Sequence, residues 1–63
     1  MNSDRLVRTA AGEIVDRYGA NVVPVIRDRA EAAKSLDDEI AAETWRKIAD
    51  AAEAEIARRE ARE

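Results

Sequence analysis

Residues 17–26 read RYGANVVPVI, and the fold class turns on them. The β-branched residues Val22, Val23, Val25 and Ile26 invite a strand. Pro24 in their midst argues against one, because it cannot donate a ladder hydrogen bond. With Asn21 as an N-cap, Pro24 falls in the first turn of a helix, where its missing N–H costs nothing. Continued at helical pitch, Val22, Val23, Val25, Ile26, Ala30, Ala33 and Leu36 fill an arc of about 160°. Arg29 lies inside that arc, while Pro24, Arg27, Asp28, Glu31 and Lys34 lie opposite. The stretch opens a helix over about residues 22–34.

Upstream, Gly19 is the natural stop of another helix, since it adopts the left-handed conformation without a Cβ penalty. Leu6, Val7, Ala10, Ala11, Ile14, Val15 and Tyr18 form a doubled i, i+4 pattern with polar residues in nearly every gap. Ser3 reads as the N-cap, and Asp4 suits the positive end of the helix dipole. The first helix is expected over about 4–18.

Downstream the boundary is softer, because Ala30–Glu43 contains neither Gly nor Pro. Ser35 followed by Asp38 has capping-box spacing, and Asp37, Asp38 and Glu39 crowd what would be a first turn. A third helix is expected over about 36–60, carrying Ile40, Ala41, Trp45, Ile48, Ala49, Ala52 and Ile56 on one face. Glu43 with Lys47 and Glu55 with Arg59 support it at i, i+4. The apolar stripe ends at Arg59, so the ARREARE tail is expected to fray into solvent or lie on a partner. Three helices with short connections make a three-helix bundle, a single domain over 1–63. The alternative is a helical hairpin, with one long helix from 22 to about 60, which would have to dimerise to cover its face.

The core is thin. Of 29 hydrophobic residues among 63, 14 are alanine, and there is no Phe. A chain this short buries only about 60% of its unfolded surface, and without cysteine no disulfide compensates. Self-association is the remaining common way for such a domain to gain burial. Net charge is −3, from 11 basic and 14 acidic residues interspersed along the chain, which opposes phosphate binding. No apolar stretch approaches the roughly 20 residues of a membrane span. No apolar run follows a basic start as in a signal peptide, so the expected compartment is cytoplasmic.

Catalytic equipment is lacking. With neither His nor Cys, no metal or cofactor site is expected and no base other than carboxylates serves Ser3, Thr9, Ser35 or Thr44. Glu39 and Glu43 one turn apart read as a solvated face with Lys47. The chain is expected not to be an enzyme. A helix-turn-helix regulator of nucleic acid, using Arg27 and Arg29, is the alternative of a different class. Against it, a reading helix needs a polar N-terminal end, and here that end is Val-Val-Pro-Val-Ile.

Four apolar residues within the five positions 22–26 exceed what one bundle face needs. Tyr18, Val22, Val23, Val25 and Ile26 are therefore the expected contact corner for a second copy or another protein. Trp45 is either the main core residue or a second interface anchor, Trp being enriched at hot spots.

The run TWRKIADAAEAEI at 44–56, behind an acidic turn and an Arg-Ala-rich helix, together with the RYGAN joint at 17–21, resembles short bacterial all-helical proteins of no assigned activity. The resemblance covers most of the chain. It implies a small helical fold and carries over no functional residue. The expected role is a compact helical protein that acts by association, as a homo-oligomer or as an accessory or regulatory subunit.

Overall fold

A computed structural model describes the backbone of residues 2–62 and the side chains of residues 4–62. The chain is all-α: α1 spans Asn2–Tyr18, α2 spans Val22–Ser35 and α3 spans Glu39–Ala61. Because α1 begins at Asn2, Ser3 lies inside the helix and not at its cap; its side chain is outside the described residues. Both joints are real, so the long-helix hairpin is replaced by a three-helix bundle. No helix among the described residues is long and apolar enough to cross a membrane.

The first joint follows the expected chemistry. Gly19 has φ 79°, and its N–H donates to the Val15 carbonyl at 2.8 Å, closing α1. Asn21 is the N-cap residue of α2, but its backbone is already helical and its side chain makes no capping bond. The first amide protons of α2 are satisfied by the turn instead, Val22 donating to Gly19 O at 3.2 Å and Val23 to Ala20 O at 3.3 Å. Pro24 then occupies the third helical position, where no amide proton is missed.

The second joint works differently from the expected capping box. Ser35 is the last residue of α2, and Asp37 takes the left-handed conformation at φ 60°. Asp37 N–H donates to Lys34 O and Asp38 N–H to Ala33 O, both at 2.9 Å. These two bonds form a Schellman motif with Asp in the place glycine usually holds. Asp38 then caps α3 itself, its Oδ1 accepting from the Ala41 N–H at 3.0 Å.

The bundle is a flattened one, 41 × 28 × 16 Å. α3 packs against both other helices, while α1 and α2 scarcely touch each other. One cluster joins all three: Ala11 and Val15 from α1, Val23 and Ile26 from α2, Ala49 and Ala52 from α3. Among the described residues, those fully removed from solvent are Ala11, Ala42, Ala49 and Ala52. Alanine lets the backbones approach closely but removes little apolar area per residue. Ile14, Val22, Trp45, Ile48 and Ile56 cover the cluster while staying partly exposed.

Two ion networks tie the outer edges. Arg27 of α2 reaches Glu53 at 2.7 Å and Asp50 at 3.2 Å on α3. Arg59 of α3 bonds Asp16 of α1 at 2.7 Å and Glu55 on its own helix at 2.7 Å. Its guanidinium also donates to the Gly12 carbonyl at 3.4 Å. Arg59, which interrupts the apolar stripe, thus ties α3 to α1, and the helix continues to Ala61 with residues 60–62 exposed to solvent.

Candidate functional site

The divergence of α1 and α2 leaves a groove of about 580 Å³ between them. One wall is Ile14 and Tyr18, a turn apart on α1. The other is Val22, Val25 and Arg29 of α2, with Asn21 at the joint, and Ile26 and Trp45 also line it.

The spacing on α2 explains why one valine-rich run serves two surfaces. Val23, Ile26 and Ala30 stand at i, i+3 and i+7 and are all buried. Val22, Val25 and Arg29 repeat the same interval one residue out of step, which rotates them by about 100° around the helix. Val25 and Arg29 are turned out to solvent, while Val22 stays half-buried against the core cluster, and the three form a stripe bordering the groove.

Four of the five residues expected at the contact corner, Tyr18, Val22, Val25 and Ile26, therefore meet here, together with Trp45, the second-choice anchor. Tyr18 is 63% exposed and Val25 51%. Val23 does not belong: at 9% exposure it is part of the core. Ile26 is equally committed to the core, at 3% exposure, and touches the groove only from below. Trp45 combines the two readings offered for it, packing on the core cluster with one part and bordering the groove with another.

Ile14 and Arg29 complete the groove. Ile14 is readable in retrospect from its i, i+4 relation to Tyr18, and Arg29 from its place inside the apolar arc of α2. Arg29 is exposed and has no ion-pair partner among the described residues. The groove thus offers apolar walls and one cation at its rim. It can take up one or two aliphatic side chains accompanied by a carboxylate. Arg27, by contrast, is neutralised by Asp50 and Glu53, whose hydrogen bonding and charge raise its pKa further above an already high value.

Two more large apolar residues are unpartnered. Leu36 and Ile40, expected on the buried arcs of their helices, flank the second joint at 81% and 83% exposure. At about 100° per residue, Ile40 falls on the side of α3 opposite the buried Ala42, Ala49 and Ala52, and Leu36 sits past the last turn of α2 as its C-cap.

Fold and surface define a small all-α three-helix protein with an apolar groove between its first two helices. No protein-family model, curated protein or solved structure matches the chain.

Proposed function

We propose that this chain works by association, as a small helical contact module that docks a second copy of itself on the α1–α2 groove. The observation that carries the proposal is its excess of surface. A compact folded protein of 7.0 kDa exposes about 4,000 Å², whereas this one exposes 4850 Å². Leu6, Tyr18, Val25, Leu36 and Ile40 all stand in that surface, and covering such residues is the usual remedy of a miniature domain with a thin core. The pairing of Arg27 with Asp50 and Glu53 and the net charge of −3 count against the nucleic-acid alternative.

Sedimentation equilibrium over a concentration series tests this reading. The wild-type chain is expected to run as a dimer or larger species that dissociates on dilution. Val25→Asp, which places a carboxylate on the groove wall, is expected to sediment as a 7.0 kDa monomer with an unchanged helical circular dichroism spectrum. A wild-type chain that stays monomeric at every concentration up to millimolar overturns the proposal.

A further inference from the structure

We propose that the occupant of the groove is the α2–α3 joint of a second copy, with Leu36 and Ile40 entering between α1 and α2 and the adjoining carboxylates meeting Arg29. This rests on the association reading above and names which surface of the partner is used.

Shape, position and charge all point to that joint. Leu36 and Ile40 are the most exposed large apolar side chains among the described residues, and they flank a tight turn, so they form a convex feature to match a concave one. Neither lines the groove of its own chain. Leu36 lies fourteen residues beyond Val22, about 21 Å along the helix, so contact within one molecule would have to span α2. The three residues between Leu36 and Ile40 are Asp37, Asp38 and Glu39. Asp38 is engaged in capping α3, whereas Asp37 and Glu39 have no ion-pair partner among the described residues. Two aliphatic side chains among carboxylates complement an apolar groove rimmed by one unpaired guanidinium. Groove against groove would set two concavities face to face and leave Leu36 and Ile40 uncovered.

The copy whose groove is filled keeps an open joint, and the copy whose joint is bound keeps an open groove, so association either closes reciprocally as a two-fold dimer or repeats head to tail into a ring or a filament. A groove-on-groove contact would stop at a symmetric dimer.

Mixing two variants separates these possibilities. Val25→Asp disables the groove and leaves the joint intact; Ile40→Asp does the reverse, and a carboxylate in the first turn of α3 suits the helix dipole. Each variant alone is expected to be monomeric by native mass spectrometry and sedimentation velocity, with Leu36→Asp behaving like Ile40→Asp. A 1:1 mixture is expected to form a heterodimer and nothing larger, because one complementary pair of surfaces survives. If Ile40→Asp and Leu36→Asp both keep the wild-type assembly while Val25→Asp loses it, the joint is not the occupant, although association through the groove stands. A mixture that yields no heterodimer equally overturns the proposal. A wild-type chain that never associates removes the underlying reading as well.

Discussion

Two residues end helices in this protein by the same backbone conformation and different chemistry. Gly19 and Asp37 both have positive φ, 79° and 60°. For glycine that conformation is nearly free, while an ordinary L-residue meets its own Cβ against the carbonyl oxygen, at roughly 1–2 kcal/mol, less for Asp and Asn. Nothing else fills the space around a glycine Cβ at position 19, so backbone preference alone justifies Gly19. The same logic predicts the outcome of Asp37→Gly. Relief of the left-handed strain should exceed the extra unfolded-state freedom of glycine, about 0.5–1 kcal/mol, by a few tenths of a kcal/mol up to about 1. That gain corresponds to a melting temperature a few degrees higher. Thermal unfolding in the Val25→Asp background, where assembly does not contribute, is the measurement. A lower melting temperature would mean that the Asp37 carboxylate makes a contribution larger than its backbone strain. This contrast also explains what was legible in the sequence. The first joint announced itself through Gly19 and Pro24. The second was blurred because its turn uses aspartate, a residue equally at home in a helical first turn, and the actual cap is Asp38 where Ser35 had the better sequence signal.

At the scale of the elements, the last turns of α3 show a charged residue doing what an apolar one does elsewhere. The stripe from Ile40 to Ile56 stops at Arg59, and periodicity alone marks that as the end of the useful helix. The guanidinium instead bridges Glu55, Asp16 and the Gly12 carbonyl, a contact between α3 and α1 that no helical wheel of either element displays. Hydrogen bonds from Arg59 and then Arg58 hold the Glu55 carboxyl below the usual glutamate range. Because its folded-state pKa is the lower one, the unfolded chain takes up the proton more readily. The contribution of this cluster is complete at neutral pH and is lost as pH falls through the ordinary glutamate range towards the depressed folded value. Arg59→Gln should therefore speed amide hydrogen exchange in residues 56–61 at neutral pH while leaving the centre of α2 unchanged. In wild type the protection of the same residues, taken relative to the slower intrinsic exchange at lower pH, should fall on acidification. Equal exchange in variant and wild type at pH 7 would show that the clamp does not hold the tail.

The whole molecule is larger than its mass requires. Its Cα radius of gyration is 11.9 Å, against about 10–11 Å for a compact chain of this length, and its thickness of 16 Å reflects α1 and α2 lying apart on α3. Scarcity of bulky apolar residues was plain in the composition, and so was the crowding of four of them into positions 22–26. Which of the four turn inward depends on where α3 passes, a tertiary fact that assigns Val23 to the core and Val25 to the groove. The exposure of Ile40, by contrast, follows from α3 alone, whose periodicity sets it opposite the buried Ala42, Ala49 and Ala52. If the surplus surface is covered by a second copy, stability and assembly are one equilibrium, and dilution must weaken the fold. A hundredfold increase in the ratio of concentration to dissociation constant adds about 2.7 kcal/mol, enough to move the melting temperature of so small a domain by ten degrees or more. Wild type should show that rise between micromolar and submillimolar concentration, and Val25→Asp should melt at one temperature throughout. A wild-type curve that does not move with concentration would mean that the eight side chains buried among the described residues, five of them alanine, suffice to hold three helices together in isolation.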